Sequence, residues 1–346
     1  MSQPIDEFEN RKKDHIRLAL DSMSQSKVTT DFGRIRLIHN ALPEIDFKDV
    51  DLTTPILSRR FASPHFVASM TAGHQDSLQI NLNLARAAAK KNWLMAVGSQ
   101  RREIDDVLMA NEWAEIRKQA PEVQFVSNIG ISEVISQPIE KILRLTEATQ
   151  SIGLIVHLNP LQEVIQDRRN GLFKGGLHAI ENLVKKSKVP VIVKEVGFGI
   201  NEDVITKLFA VGVEAVDLAG RGGTHWGFIE GARGQKNGLG AHVAEAFSDW
   251  GYSAIELLLE LQEKILFSPI WASGGIRSGV DSAKCLALGT RAVGIAQPLM
   301  KAAVVSEAEV LNTMTQFDDQ LKVAMFCMGI SRCEDFLHKK VWQCHK

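Results

Sequence analysis

Lys194 is the residue whose position most directly predicts chemistry. It ends the apolar run Val191–Val193, so its ammonium group would stand at the end of a buried strand and would need an anionic partner there. Three uses are open. The lysine could bind an anionic ligand, form a Schiff base with a substrate carbonyl, or make a salt bridge with Glu195 or Asp217.

The segment Ser273–Gly279 has the composition of an anion-binding loop. Its sequence is SGGIRSG, it follows the apolar run Ile270–Ala272, and it leads into a segment with helical periodicity. Glycine lets the backbone approach a ligand closely, and the first N–H groups of a helix point at an anion. A glycine pair also suits a helix-capping turn, so the choice depends on which strand the loop follows.

Polar or glycine residues also follow nearly all of the remaining apolar runs. They are Thr71 with Gly73, Ser99, Asn128, His157 with Asn159, the Gly220–Thr224 turn, and Ala296 with Gln297. An inert scaffold would need only turn-forming residues at these points. Amide and hydroxyl groups such as those of Ser99, Asn128 and Thr224 suit the polar edge of a flavin, and a lysine suits the negative charge of the reduced ring. The set therefore favours a flavin site.

Eight short apolar runs predict the strands that position these residues. The runs are Phe66–Met70, Leu94–Val97, Gln124–Ser127, Leu154–Leu158, Val191–Val193, Ala215–Leu218, Ile270–Ala272 and Ala292–Ile295. Helical periodicity is found between them, at Ser77–Lys91, Ile139–Gln150, Ala179–Lys186, Glu202–Ala210 and Ser278–Leu288. Continuous apolar runs that alternate with helices indicate a parallel sheet covered on both faces. We expect a closed (β/α)8 barrel rather than an open doubly wound sheet, with a phosphate site after the seventh and eighth strands.

Two parts of the chain lie outside this regular alternation. Residues 1–60 precede the first barrel strand, and we expect them to form an extension that contains a helix over Asp6–Met23 and contributes substrate ligands. Residues 61–346 would form the barrel as a single domain. More than 50 residues separate the sixth and seventh strands, including the Gly-rich stretch Gly220–Gly240. A long loop there predicts an active-site cover or a disordered insertion, and we favour the cover.

The composition excludes some partners. The 346 residues are 45% hydrophobic, enough for one large barrel domain or two medium ones. They carry a formal net charge of -1, so no global field favours nucleic acid or an acidic membrane. The polar N-terminus and the lack of a long apolar run predict neither a signal peptide nor a membrane span. The four cysteines have no CxxC spacing and suit free thiols in a reducing compartment. We expect a cytoplasmic protein.

The ordered set of motifs resembles that of the type 2 isopentenyl-diphosphate isomerase family. The matching segments are Arg11–His15, Met70–His74, Gly98–Arg101, Ser127–Gly130, His157–Glu163, Val193–Gly197, Gly220–Trp226 and Ser273–Arg277. The likeness runs from about Arg11 to the C-terminal region.

This resemblance implies an FMN-dependent isomerase that interconverts isopentenyl and dimethylallyl diphosphate. It would need Mg²⁺, and NADPH or NADH to keep the flavin reduced. The resemblance implies FMN contacts from Met70, Thr71, Ala72, Gly73, Ser99, Asn128, Lys194, Thr224, Gly275, Ile276, Arg277, Ala296 and Gln297. It implies substrate contacts from Arg11, Lys12, Ser99, Gln100, Arg101, His157, Asn159 and Gln162, with His157 and Gln162 in catalysis. Glu163 would bind Mg²⁺.

The chain departs from the family pattern at three places. The family usually has glycine where this chain has Ala72, and often serine where it has Ala219, which would remove a hydroxyl from the FMN phosphate site. The segment Gln166–Asn170 differs from the acidic, proline-containing stretch of the family, which leaves the metal affinity open.

Structural roles remain open for several of these residues. Arg11 and Lys12 could lie on a solvated helix face, His157 could be a core histidine, and Glu163 could be a first-turn carboxylate.

Other functions also remain open. An FMN barrel that oxidises 2-hydroxy acids would need a histidine base and arginines in the late loops, and Arg221, His225 and Arg233 are available. A non-catalytic flavin-binding protein is a third reading. Barrels whose N-terminal extension supplies ligands often assemble symmetrically, so we expect a homo-oligomer that binds a small diphosphate ester.

Overall fold

The computed structural model describes residues 14–70, 75–106, 110–169, 171–234, 238–262 and 269–345. The strands of this part are β1 Ile35–Leu37, β2 Thr54–Ile56, β3 Arg59–Phe61, β4 His65–Val67, β5 Leu94–Ala96, β6 Gln124–Gly130, β7 Leu154–His157, β8 Val191–Lys194, β9 Ala215–Asp217, β10 Ile270–Ala272, β11 Ala292–Ile295 and β12 Trp342–Cys344.

Helices alternate with most of these strands. They are α1 at residues 14–20, α2 Gln75–Lys91, α3 Ala110–Gln119, α4 Ile131–Ser136, α5 Ile139–Thr149, α6 Pro160–Gln166, α7 Gly176–Lys186, α8 Glu202–Ala210, α9 Trp226–Arg233, α10 Ala241–Ala246, α11 Ala254–Leu261, α12 Gly279–Ala287, α13 Gln297–Val305 and α14 Glu307–Met328. Single turns of 3-10 helix lie at Ser22–Ser24, Phe32–Arg34, Phe47–Asp49, Arg101–Ile104 and Cys333–Leu337.

The eight predicted strands are present and form a closed parallel barrel, which confirms the predicted fold. The strand order around the barrel is β10-β11-β4-β5-β6-β7-β8-β9. Phe66, Val126 and Trp271 belong to a core cluster formed by residues of the barrel strands and of the hairpin before them, and a second, larger cluster joins strands to helices. Apolar side chains on both faces explain why these runs are continuous rather than alternating.

The predicted helices are also present, with ends shifted by at most a few residues. The starts of α8 and α12 are fixed by capping side chains, which accept hydrogen bonds from N–H groups of the first turn. Asn201 accepts such a bond from Val204 at the start of α8, and Ser278 accepts one from Asp281 at the start of α12.

The interval after β9 is folded into three short helices, α9, α10 and α11. Ser253 begins α11 with a capping box, in which its side chain and that of Glu256 satisfy each other's backbone N–H groups. The many glycines between Gly220 and Gly240 obscure the helical periodicity of this interval. Residues 223, 224 and 226 line the cavity described below, so the interval forms part of the site wall.

The segment before the barrel is attached to it at several points. Strand β1 pairs antiparallel with β12, and the hairpin β2–β3 packs Ile56 and Phe61 against the barrel interior. The predicted helix over Asp6–Met23 is seen at residues 14–20, and its earlier part lies outside the described residues.

All four cysteines are free thiols, and Cys285 and Cys333 are buried. Within the described ranges, no helix combines the length and the hydropathy needed to cross a bilayer.

Candidate active site

A cavity opens at the carboxyl ends of the barrel strands and collects most of the predicted site residues. Those that line it are Met70, Ser99, Arg101, Asn128, His157, Asn159, Gln162, Glu163, Lys194, Thr224, Gly275, Ile276, Arg277, Ala296 and Gln297. Arg11, Lys12, Thr71, Ala72 and Gly73 lie outside the described residues. The cavity is at the end of the barrel where this fold carries its chemistry.

Gln100 is close to this cavity but does not line it. The side chain is buried, its Oε1 accepts a hydrogen bond from the Asn128 N–H at 3.1 Å, and its Nε2 donates to Glu103 at 2.7 Å. Gln100 therefore holds the backbone of Asn128 from behind, whereas Asn128 itself lines the cavity.

Four glycines form a tight cradle beside α12. Gly274 and Gly275 have φ values of 92° and 73°, which disfavour any other residue. A Cβ on Gly274 would lie 1.9 Å from the carbonyl oxygen of Gly220, and one on Gly223 would lie 2.9 Å from the nitrogen of Gly275. The loops after β9 and β10 therefore touch through bare backbone. A cradle of this kind at a helix N-terminus fits the phosphate of FMN.

The N-terminal segment closes one side of this cradle. The N–H of Ser26 donates to the carbonyl of Gly223 at 2.7 Å, and Arg277 donates to the side chain of Gln25 at 3.1 Å. Helix α1 then reaches the cavity, and the side chains that line it there are His15, Ile16 and Ala19.

Lys194 lies in a buried cluster of charged groups on β8 and β9. Its Nζ donates to the backbone carbonyl of Glu195 at 2.5 Å, and Asp217 is its register partner on the next strand. Burial lowers the pKa of Lys194 and raises that of Asp217, while their mutual attraction opposes both shifts. The single hydroxyl of Ser273 lies 2.8 and 3.0 Å from the two Asp217 oxygens and donates a hydrogen bond that stabilises the carboxylate. The amine is therefore held at the cavity wall beside a fixed counter-charge.

Glu195 belongs to the same cluster, but its carboxyl group is hydrogen-bonded to backbone N–H groups. Its Oε2 accepts hydrogen bonds from the N–H groups of Val196, Gly197 and Phe198 at 2.6 to 2.7 Å. Burial raises the pKa of Glu195 to about 7 despite these donors. Ala219, one of the departures from the family pattern, lines the cavity nearby with an unusual φ of 41°.

His157 is oriented by Asn128. The Nδ2 of Asn128 donates to the carbonyl of Val97 at 3.2 Å, which turns its Oδ1 toward His157 Nδ1 at 2.9 Å. The amide is a hydrogen-bond acceptor at that atom, so Nδ1 of His157 carries a hydrogen.

Glu163 is the group in the cavity that best fits a metal ion. It is 7% exposed in the first turn of α6, and its Oε1 accepts a hydrogen bond from Asn159 at 3.0 Å. Its Oε2 is buried and has no hydrogen-bond partner within the described part of the chain. A buried carboxylate oxygen needs a cation or a donor, and a hard divalent cation such as Mg²⁺ prefers this ligand.

Glu230 is a buried site residue that the sequence analysis did not identify. Gln162 donates to it at 3.0 Å, His15 Nε2 lies 2.9 Å from it, and Arg233 donates to it at 2.7 Å. Although burial opposes its ionisation, these neighbours hold the pKa of Glu230 at about 2. The available sequence signal was that Glu230 and Arg233 lie three residues apart on one helix. Such pairs of opposite charge usually lie on solvated helix faces, so the spacing did not indicate a buried site.

Glu133 is a second carboxylate that was missed, and it lines the cavity. It is buried in the first turn of α4, directly after β6, and its Oε1 lies 2.5 Å from Arg101 Nε. Its place right after a barrel strand was the signal that could have identified it.

The three residues considered for oxidation of 2-hydroxy acids make contacts away from the cavity. None of Arg221, His225 and Arg233 is among the residues lining the cavity. Arg221 donates to both oxygens of Glu256 at 3.1 Å, and burial lowers the pKa of His225, whose Nδ1 caps α9 by accepting from Phe228 at 3.1 Å. Within the described residues, the sequence basis for that alternative is therefore absent.

Fold and site together define an FMN-binding barrel. The family described as FMN-dependent dehydrogenase matches residues 15–124 and 161–343. A mutant flavocytochrome b2 with pyruvate bound superposes with a TM-score of 0.68 at 20% identity, covering 99% of this chain and 88% of that one. A putative lactate oxidase of Pediococcus acidilactici gives 0.67 at 15% identity, covering 100% and 96%. At such low identity, these structures share the fold alone.

Closer relatives narrow the class. An isopentenyl-diphosphate delta-isomerase of Bdellovibrio bacteriovorus is 45% identical over 99% of this chain and 100% of its own length. Those of Legionella pneumophila strain Corby and Oceanobacillus iheyensis are 44% and 38% identical, covering 98% and 94% of this chain and 99% and 93% of their own lengths. The chain belongs to the isopentenyl-diphosphate delta-isomerases of the FMN-dependent type 2 family, which confirms the resemblance seen in the sequence.

Proposed function

We propose that this chain interconverts isopentenyl diphosphate and dimethylallyl diphosphate, as part of isoprenoid biosynthesis. A proton is added to one carbon of an unactivated alkene and another is removed two carbons away, with no net redox change. The observation that carries the proposal is the 45% identity to the Bdellovibrio isomerase over nearly the whole chain. The cavity, with its glycine cradle at one side and a carboxylate at the other, supports it.

FMN supplies an electron-rich ring whose nitrogens can exchange protons. The chain would hold its phosphate with Gly275, Ile276, Arg277 and the N–H groups at the start of α12. Other proposed contacts are Met70, Thr71, Ala72, Gly73, Ser99, Asn128, Lys194, Thr224, Ala296 and Gln297. The ammonium of Lys194 would stabilise negative charge on the bound ring, and Asp217 would keep that ammonium charged despite its burial.

Glu163 and Arg101 would bind the charged end of the substrate. The unpartnered Oε2 of Glu163 would hold Mg²⁺, with diphosphate oxygens and waters as the remaining ligands. Arg101 Nη1 lies 4.0 Å from Glu163 Oε1, so the guanidinium is within reach of the same diphosphate. Arg11 and Lys12 are proposed to neutralise the rest of its charge, Arg11 through a bidentate contact.

The remaining polar residues would orient the alkene end. His157, Asn159 and Gln162 would contact substrate, and His157 and Gln162 are proposed to act in catalysis. Gln162 is fixed by its hydrogen bonds to Glu230 and Asn159, at 3.0 and 3.2 Å, which leaves it little rotational freedom. A group held in place in this way favours one geometry of the reacting carbons, and the entropy of alignment is lost before the reaction begins.

The test is isomerisation by purified protein under reducing conditions. Enzyme with FMN and Mg²⁺ should convert isopentenyl diphosphate only after NADPH, NADH or dithionite has reduced the flavin. The product is quantified by proton NMR, and reductant consumption is followed at the same time. Consumption of one reductant per product molecule, or oxidation of a 2-hydroxy acid, would contradict the proposal.

We also propose a homo-oligomer that works in the reducing cytoplasm. The four free thiols support the reducing compartment, and the use of N-terminal residues in the site supports a symmetric assembly. Light scattering coupled to size exclusion tests the assembly, and a monomer at micromolar concentration would reject it.

A further inference from the structure

We infer that Glu133 is a positioning residue that holds Arg101 and His157 in one arrangement facing the diphosphate. The inference rests on the proposed function, because it assigns a role within the same substrate site. Three observations lead to it.

The first observation is how Arg101 is held. Glu133 Oε1 lies 2.5 Å from Arg101 Nε, while Arg101 Nη1 lies 4.0 Å from Glu163 Oε1. The Nε edge of the guanidinium is therefore occupied by Glu133, and a terminal nitrogen lies toward the proposed metal ligand. Since the guanidinium is planar and rigid, a contact at Nε fixes the direction of its terminal N–H groups.

The second observation is the glycine between these groups. Gly130 has φ and ψ of -77° and 152°, a conformation that any residue adopts, so backbone strain does not require glycine here. A Cβ at this position would lie 2.5 Å from Glu133 Oε2 and 3.1 Å from His157 Nε2. The space that only glycine leaves is therefore filled by the second carboxylate oxygen of Glu133 and the ring of His157.

The third observation is that the far side of His157 is also fixed. Its Nδ1 is held by Asn128, whose amide is bonded in turn to Val97. Glu133 is 8% exposed, so water screens its charge only weakly from Arg101 and from the nearby His157 ring. The substrate-facing residues thus form one connected unit with Glu133 at its centre.

Two roles of this carboxylate predict opposite effects. If Glu133 were only a negative charge near an anion site, its removal would relieve repulsion and tighten diphosphate binding. If it positions Arg101 and His157, its removal would free both side chains and weaken binding, because part of the affinity would be lost in ordering them again. The sign of the change therefore separates the two roles.

Inorganic pyrophosphate is the probe, titrated calorimetrically into FMN-loaded protein with Mg²⁺. We expect Glu133→Ala to weaken its binding about 10-fold, as for a lost charge-assisted hydrogen bond. Glu133→Gln keeps an acceptor for Arg101 and should restore most of the loss. In turnover assays the KM should rise more than kcat falls, and the flavin spectrum should not change. The control is Glu140→Gln, on the exposed face of α5, which should bind as wild type.

A double-mutant cycle tests whether Glu133 acts through Arg101. In an Arg101→Ala background, Glu133→Ala should cause little further loss, whereas independent residues would give additive losses. Gly130→Ala removes no polar group but displaces Glu133, and it should weaken binding as well, which keeps the test open if Glu133→Ala fails to bind FMN. Unchanged or tighter pyrophosphate binding in Glu133→Ala and Gly130→Ala would overturn the inference.

The outcome is separable from that of the proposed function. Pyrophosphate binding needs no turnover, so a wild-type protein that binds it with the expected coupling but does not isomerise would reject only the activity. A wild-type protein that isomerises while the cycle shows no coupling would reject only the role of Glu133.

Discussion

Lys194 and Asp217 are buried register partners on neighbouring parallel strands, and Lys194 lines the cavity. Side chains paired in this way extend from the same face of the sheet, so the carboxylate is a built-in counter-charge for the ammonium. Neither charge would be stable there alone, because burial shifts the pKa of each toward its neutral form.

The first prediction concerns this lysine and FMN. Lys194→Met keeps the length of the side chain and removes its charge, so FMN should bind more weakly and its reduction should become harder. The midpoint potential should fall by about 30 mV or more, which corresponds to ~1.4 kcal/mol for a two-electron couple. Fluorescence titration and potentiometry measure the two effects. Lys207→Met, at an exposed lysine paired with Asp203, is the control, and equal effects of both variants would contradict the assignment.

The second prediction concerns the metal. Glu163→Gln should preserve the fold and the flavin spectrum while turnover falls roughly 30-fold to 1000-fold, because a metal-ligand charge worth about 2–4 kcal/mol in the transition state is lost. The matched control is Glu181→Gln, an exposed glutamate paired with Lys185 on α7. Full activity of Glu163→Gln at the same Mg²⁺ requirement would mean that the carboxylate is only a first-turn helix residue.

The third prediction separates the two constraints on the glycine cradle. Gly274→Ala would combine a positive φ with a Cβ 1.9 Å from the Gly220 carbonyl, whereas Gly289→Ala has a φ of 97° with no atom within 4 Å. Both should lose about 1–2 kcal/mol of stability from backbone strain, and Gly274→Ala should lose more, because its Cβ would overlap the Gly220 carbonyl. Only Gly274→Ala should also bind FMN more weakly, by about 100-fold or more. The distorted cradle would lose roughly 3 kcal/mol of FMN binding free energy. Thermal unfolding and FMN titration distinguish the two, and retained FMN affinity in Gly274→Ala would place the phosphate elsewhere.

The fourth prediction concerns acid stability through Glu230. Its pKa is about 2 in the folded protein against an ordinary value of 4.5, so the unfolded chain takes up a proton first as the pH falls. The stabilisation is complete above pH 4.5 and is lost between pH 4.5 and 2, up to about 3 kcal/mol. Glu195, with a pKa raised to about 7, changes stability only as the pH rises from 4.5 to 7.

The variant Glu230→Gln tests this assignment. Its free energy of unfolding, from urea titrations between pH 5 and pH 3, should fall less steeply than that of wild type. It should also be less stable at pH 7, since Arg233 and His15 lose their partner. A slope equal to that of wild type would show that other carboxylates control acid unfolding.

The barrel could be predicted from the sequence because its physical signal is local. A run such as Leu154–His157 is apolar on both faces only if both faces are covered, so periodicity alone distinguishes it from a surface strand. The polar residue that follows each run then lies at a known end of the barrel. This reasoning brought Lys194, Asn128 and His157 to one cavity without any knowledge of their contacts, whereas Glu163 was indicated only by the family resemblance.

Glu230 could not be found in the same way, and Glu133 had only its place after β6 as a signal. Each lies on a short helix whose periodicity is too brief to identify its buried face, and a carboxylate in a helix is usually solvated. What makes them functional candidates is burial beside Arg101 and His15, contacts that join distant parts of the chain. Such contacts depend on the closed barrel and have no signature in local sequence.

The pairing of β1 with β12 has a consequence for how the protein is made. Strand β1 follows the segment that walls the cavity, yet its hydrogen-bonding partner is translated after all eight barrel strands. During synthesis, β1 therefore has no strand partner until β12 has been made. The eight barrel strands can pair before the β1–β12 pair forms. Until β12 has been made, the segment that walls the cavity is held by its bonds to Gly223 and Arg277 without the β1–β12 pair.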